Sequence, residues 1–399
     1  MPHYRAAWLL PISQPPIQDA WFQLEAGRIV ALGSARGRRT TPDETDLGHV
    51  AVLPGLVNAH THLELSWMRG RVSAGNEFTD WIRSLIAVRG REKDDTSAIE
   101  DAIDEARAFG TALVGDISNT LASAAILGSK KMAAVVFHEL IGFRSANAER
   151  IVADAQSRLA GVEAGPMVRC TLAPHAPYSV SPALFRAIHR HVQHSSCTIS
   201  SVHLGESLAE TQFLRDGSGQ FRALLEDVGA WDAGWTAPGC DAVSYAARLG
   251  LLDGHTLVVH GVQFGREELR ELASTGVTLV TCPRGNLLTG AGAPPIAAFY
   301  ESGVRVAVGT DSLASVPDLN LFAELAEMRR LAPAVPARAL IESATIAGAA
   351  ALGFGGDFGS VDVGKRDRLI AVELNSTVAD VEERLVSGVE KSQVRWVGP

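Results

Sequence analysis

Two histidines at a spacing of two, His60 and His62, close an apolar run in the segment Asn58-Ala59-His60-Thr61-His62. On an extended chain, side chains at i and i+2 point to the same side, so both imidazoles can meet one ion. Taken alone, the pair is a weak signal. The same residue types then recur in the same kind of place: His203 ends CTISSVHL, His260 ends HTLVVHG and Asp311 ends VRVAVGTD. Each follows apolar residues, where a buried charge or an unpaired imidazole costs free energy unless something compensates it. Packing explains five such residues poorly; a metal centre explains them well. Histidine and carboxylate donors suit Zn²⁺ or Fe²⁺, with one position left for a water whose pKa such an ion lowers to about 7. His60, His62 and His203 are expected as ligands. Asp311 is expected as the fourth ligand and as a catalytic acceptor of the attacking water's proton. His260 is expected to orient that water or donate to the developing alkoxide.

Glu206 stands three residues beyond His203, in Leu204-Gly205-Glu206. A carboxylate just past a strand end can lie over the open coordination position. There it can carry a proton from the water to a ring nitrogen and then to a leaving amine. The competing reading is a loop glutamate at the first turn of the following helix, SLAETQFLRD. The cytidine-type zinc deaminase signature, His-x-Glu with a later Pro-Cys-x-x-Cys, is absent, so any deamination falls to the strand-end site.

These residues need a frame that brings strand ends together. Eight apolar runs (VLPGLVNA, TALVGDIS, MAAVVFHEL, VRCTLAPH, CTISSVHL, HTLVVHG, GVTLVTCP and VRVAVGTD) alternate with helix-length segments such as TSAIEDAIDEARAFG and SPALFRAIHRHVQH. That order predicts an α/β chain folded as a (β/α)₈ TIM barrel, whose active sites lie at the C-terminal ends of its strands. A doubly wound sheet is the alternative, but no glycine-rich dinucleotide fingerprint follows an early strand. Short β segments return at both ends, with a turn at Gly27-Arg28. The expected division is a small β-sandwich domain from residues 1–54 and 355–399, and a hydrolase barrel over 55–354.

The bulk properties agree. A length of 399 residues accommodates a barrel of roughly 250 residues plus a smaller domain. The formal charge of −9, with five lysines and no basic cluster, argues for a small-molecule substrate and against nucleic acid or an anionic membrane. Four scattered cysteines give no disulfide framework, and no basic leader or long apolar span is visible, so a cytoplasmic setting is the expectation. A homodimer is left open as the assembly.

The segments LPGLVNAHTHLELSWMRG, APHAPYSVSP, SVHLGES, LVVHGV, TCPRGNLLTGAG and VAVGTDSLAS together resemble the amidohydrolase superfamily, in its cytosine deaminase-like and chlorohydrolase branch. The resemblance covers nearly the whole chain and implies the barrel, one divalent metal and the roles given above. Two-metal members bridge their ions with a carbamylated lysine at a strand end. Here Lys130 and Lys131 precede a strand, while Lys93, Lys365 and Lys391 lie in helical or terminal segments, so a single ion is expected. The Arg366-Asp367-Arg368 run departs from the family's usual pattern, in the β domain and away from the site. For substrate, His62-Leu63-Glu64-Leu65-Ser66 and FTDWIRSLIAVRGR look most like aminodeoxyfutalosine deaminases of menaquinone biosynthesis. Alternatives are an adenosine or S-adenosylhomocysteine deaminase, or a guanine- or s-triazine-type hydrolase. The resemblance puts Glu64, His175 and Tyr178 at the substrate. Arg144 is expected to meet the substrate's benzoate, with Arg83 and Arg89 as other arginines in reach of that role. A catalytically dead scaffold would have lost a ligand, and none is missing.

Overall fold

In the computed structural model, residues 2–38, 43–73, 77–90, 95–375 and 378–398 are described; Arg91 and Lys93 lie outside them. The chain opens with strands β1 (His3–Leu9), β2 (Ile17–Glu25), β3 (Arg28–Ser34), β4 (Glu44–Asp46) and β5 (Val50–Pro54). These pair with β14 (Leu369–Glu373) and β15 (Val394–Trp396) in one seven-stranded sheet, so both termini do share a sheet. The β2–β3 hairpin forms with its turn at Ala26-Gly27, one residue before the expected Gly27-Arg28: Ala26 and Gly27 have φ of 49° and 79°, the left-handed pair that suits the twist of a two-residue hairpin, and Arg28 already begins β3.

Alternation along the sheet's strands sends side chains to two different cores. Leu9, Val50, Val52, Leu369 and Ala371 pack with Phe22 and Ile29 on one face. Leu10, Ala51, Leu53, Ile370 and Val372 pack on the other face against Phe322 and Leu340 of the larger unit.

Eight parallel strands follow: β6 (Leu56–Thr61), β7 (Thr111–Ser118), β8 (Ala133–Leu140), β9 (Val168–Pro174), β10 (Ser200–Leu204), β11 (Thr256–His260), β12 (Thr278–Thr281) and β13 (Arg305–Val308). Most of their residues are buried, which is why they read as continuous apolar runs rather than alternating ones. They form two four-stranded ladders, β6-β7-β8-β9 and β10-β11-β12-β13. At one seam Thr61 and Asp311 form a parallel bridge. At the other the His203 N–H donates to the His175 carbonyl at 2.9 Å.

The predicted run VLPGLVNA divides between β5 and β6. The chain leaves the terminal sheet for the parallel ladder at Gly55, where an added Cβ would lie 2.6 Å from the Ala112 Cβ. Among the described residues no helix is long and apolar enough to cross a membrane.

Candidate active site

Each predicted chemical residue sits at a strand end, and the strands are tied there by backbone. The His60 carbonyl accepts the N–H groups of both Thr310 and Asp311 at 3.1 Å. Asn58 fastens the same pair of strands, accepting from the Thr310 N–H at 3.1 Å and donating to its hydroxyl at 2.8 Å. This close approach needs a glycine at 309, because a Cβ there would meet the His60 carbonyl oxygen at 2.5 Å. His260 and Asp311 adopt φ of 79° and 60°, strained for residues with a Cβ. Such strain persists where surrounding contacts hold it, and it clusters at functional sites.

His60, His62 and His203 each present a ligand nitrogen, all within 4.8 Å of one another. The Nε2 atoms of His60 and His62 face each other at 3.2 Å, and Asp311 Oδ1 lies 3.4 Å from the second of them. Ser315 donates to Asp311 Oδ2 at 2.9 Å, which leaves Oδ1 for the cluster. His203 Nδ1 is engaged by the His175 carbonyl at 3.1 Å, so its Nε2 is the nitrogen left to bind. Burial lowers all three imidazoles, His203 to about 4, and keeps them neutral as ligands must be. Burial raises Asp311 to about 6. Three neutral imidazoles and a carboxylate, converging on one point without a positive partner, fit a divalent cation.

Glu206 and His260 flank this cluster, with Glu206 Oε1 3.4 Å from His260 Nε2. Asn286 Nδ2 lies 2.9 Å from His260 Nδ1, and as a donor there it leaves the proton of the neutral ring on Nε2. Gly205, at φ 63°, turns the chain after His203 so that Glu206 faces inward. Glu210 then clamps this turn, its two oxygens accepting the Gly205 and Glu206 N–H groups at 3.0 Å each. Glu206 is buried, and burial together with the Asp311 and Glu210 carboxylates pushes its pKa well above the usual carboxylate range. A carboxyl held near its protonated form beside a neutral histidine is equipped to take and return protons.

The cluster forms the floor of a cavity of about 530 Å³, within the usual range for a small-molecule site. Its lining includes His62, His175, His203, Glu206, His260 and Asp311, so residues from strand ends far apart in sequence share one chamber. The upper wall is apolar, with Phe78, Trp81, Ile82 and Leu85 from the helix Phe78–Arg89, and Leu224 and Leu225 opposite. His175 and Tyr178 also line it; Tyr178 stacks on Phe221 at 3.7 Å and burial lowers His175 to about 4.

Two expected substrate residues are placed elsewhere. Glu64 is absent from the lining. Its carboxylate accepts from Ser118, from the Thr120 hydroxyl at 2.7 Å and from the backbone N–H groups of Asn119 and Ala122 at 3.0 Å. Arg144 is exposed and donates to the Gly229 carbonyl at 2.5 Å, also outside the lining. Arg83 pairs with Asp227 at 2.7 Å. Arg89 is the arginine that does line the cavity. No lysine lines it among the described residues. Asn286, Glu210, Ser315 and Glu139 were not anticipated from sequence.

A family model, the amidohydrolase family, matches residues 51–394. The chain belongs to the amidohydrolase family. It is 29% identical to a 5-methylthioadenosine/S-adenosylhomocysteine deaminase from Haloarcula marismortui, over 94% of this chain and 86% of that one. It is 31% identical to an aminodeoxyfutalosine deaminase from Nitratiruptor sp., over 83% of this chain and 81% of the relative. Among solved structures, an adenosine deaminase from Xanthomonas campestris with bound zinc superposes with a TM-score of 0.82 at 27% identity, covering 98% of this chain and 90% of that one.

Proposed function

We propose that this metal-dependent hydrolytic deaminase acts on an adenosine-like nucleoside carrying a large carboxylated 5′ substituent, with aminodeoxyfutalosine as the best match. The observation that carries the reading is the form of the cavity. Its floor holds His62, His203, Asp311, Glu206 and His260, with His60 Nε2 3.2 Å from that of His62. Its wall is apolar, and Arg89 is the only arginine or lysine in the lining among the described residues. The ligands His60, His62, His203 and Asp311 would hold one divalent ion, with zinc favoured by the zinc-bound relative. When bound, such an ion makes water nucleophilic near neutral pH. Glu206 takes one proton of the attacking water to the ring nitrogen beside the reacting carbon, which makes that carbon electrophilic, and then relays the water's second proton, first taken up by Asp311, to the departing amine. His260, with its proton on Nε2, donates to the oxygen that becomes negative. Asp311 accepts the water's remaining proton. Asn286 and Glu210 hold His260 and the Glu206 turn in position for these transfers.

The eight parallel strands, joined at the Thr61–Asp311 and His175–His203 seams, are read as one closed (β/α)₈ barrel over 55–354. The terminal sheet is read as the small β-sandwich domain over 1–54 and 355–399.

A guanine or s-triazine substrate carries no carboxylate and would leave Arg89 unused. The methylthioadenosine/S-adenosylhomocysteine reading is the stronger competitor, since such deaminases are among the relatives. Comparison of kcat/KM for aminodeoxyfutalosine, S-adenosylhomocysteine, 5′-methylthioadenosine and adenosine tests the reading, with the first expected to be fastest. Arg89→Ala should raise KM for aminodeoxyfutalosine by about 30-fold or more, the cost of leaving a buried charge without its partner, and leave adenosine little changed. Arg144→Ala should alter neither. Faster turnover of adenosine or S-adenosylhomocysteine, or equal losses on both substrates in Arg89→Ala, would overturn the assignment.

A further inference from the structure

Glu139, at the end of β8, is a carboxylate that the deamination chemistry leaves unused. It is 6% exposed and lines the same cavity. One oxygen, Oε2, accepts from Asn119 Nδ2 at 3.0 Å. The other, Oε1, is buried with no hydrogen-bond partner. His203 Nδ1 is 3.5 Å away, and it lies 3.1 Å from the His175 carbonyl oxygen. A buried acceptor without a donor bears the full desolvation penalty of its group, so native proteins rarely keep one unless a ligand, water or ion completes it.

The missing partner must bring hydrogen-bond donors. A second carboxylate would be repelled, and the one cation in the lining among the described residues, Arg89, donates to Asn119 Oδ1 at 3.3 Å. The lining histidine His175 lies alongside, since a ligand atom from each of Glu139, His175 and His203 falls within 4.8 Å of the others. Glu139 sits on the Nδ1 side of His203, whereas the metal-binding nitrogen is on the opposite edge of that ring. The amino-bearing carbon must stand at the metal, so the donor that reaches Glu139 belongs to another part of the same substrate. In a nucleoside, the donors not on the base are the sugar hydroxyls.

Resting on the nucleoside reading above, we infer that Glu139 is a specificity-determining residue that accepts hydrogen bonds from the 2′- and 3′-hydroxyls of the substrate's ribose, with Asn119 holding its carboxylate in place. The site therefore selects ribonucleosides over deoxygenated ones.

The test compares adenosine with 2′,3′-dideoxyadenosine, using wild type and Glu139→Gln, with metal content measured on each preparation. Wild type should prefer adenosine by about 10²-fold in kcat/KM, the effect of hydrogen bonds to a charged group. In Glu139→Gln, Asn119 retains the amide oxygen, so the amide NH₂ faces the cavity and cannot accept a hydroxyl proton. The preference should then fall below about tenfold, through KM for adenosine, with metal content unchanged. If Glu139 merely orients His203, the variant instead loses metal or loses kcat equally on both nucleosides, and the inference is overturned. Should the variant fail to fold, the wild-type comparison decides alone, because equal turnover of the two nucleosides excludes hydroxyl recognition. Wild type that deaminates no 6-aminopurine nucleoside would overturn the nucleoside reading and this inference with it; equal turnover of both overturns this inference only.

Discussion

Glu206→Gln is expected to lower kcat by about 10²–10⁴-fold while the fold and the bound metal persist. The expectation follows from where the side chain is held. Gly205 turns it inward, Glu210 fixes the turn through two N–H contacts at 3.0 Å, and Oε1 lies 3.4 Å from His260 Nε2. Glutamine has nearly the same shape, so it can still hydrogen-bond a heterocycle and should leave KM close to that of wild type. It cannot deliver a proton to the ring nitrogen or to the leaving amine. Steady-state kinetics alongside metal analysis separate this from misfolding. A loss below tenfold, with the pH profile unaltered, would make Glu206 a loop residue with no part in the proton transfers.

The second large effect concerns the metal. Carefully purified protein should contain about one equivalent of a divalent ion per chain, from the count of converging donors. Stripping it should abolish turnover, and readdition of zinc should restore it. Replacing His203 with alanine should prevent loading altogether, because that ring supplies one of three neutral imidazoles and lies at the junction of the two strand ladders. The apo protein should also be sensitive to acid. His60, His62, His203 and His260 are all held neutral by burial, with folded-state pKa values below the ordinary 6.5. The unfolded chain therefore takes up protons first as pH falls. The neutral-histidine contribution to stability is present above about 6.5 and is lost below it, down through the lowered values. Two equivalents of metal, or full activity at zero metal, would contradict the single-ion site.

Much of this site was legible in the sequence, for physical reasons. A parallel strand buried on both faces is a continuous apolar run, so a histidine or carboxylate at its end stands out against its neighbours. That rule found His60, His62, His203, His260 and Asp311. The same rule also applied to Glu139, which ends MAAVVFHEL as His203 ends CTISSVHL, and it could have been read there. Asn286 gave no such signal, since it lies in a short helix, Pro283–Leu288, and its importance appears only when its amide meets His260. Glu64 and Arg144 illustrate the opposite limit. Sequence places both close to strand ends, but direction decides what a charged side chain meets. Glu64 turns into the 118–122 loop, whose N–H and hydroxyl groups satisfy it, and Arg144 turns outward to a carbonyl. Arg89 reaches the cavity because the helix Phe78–Arg89 forms its wall. The division of VLPGLVNA between two sheets was hidden because both halves are equally buried; Gly55 was its only mark.

The account's central claim is hydrolytic replacement of an amino group by oxygen from water, with the sugar left attached. It is tested most directly by turnover of aminodeoxyfutalosine or adenosine in isotopically labelled water, followed by mass analysis of the product and an ammonia assay. The expected result is one ammonia and one labelled oxygen on the base for each nucleoside consumed. Release of a free base, or a product that carries no label, would contradict it.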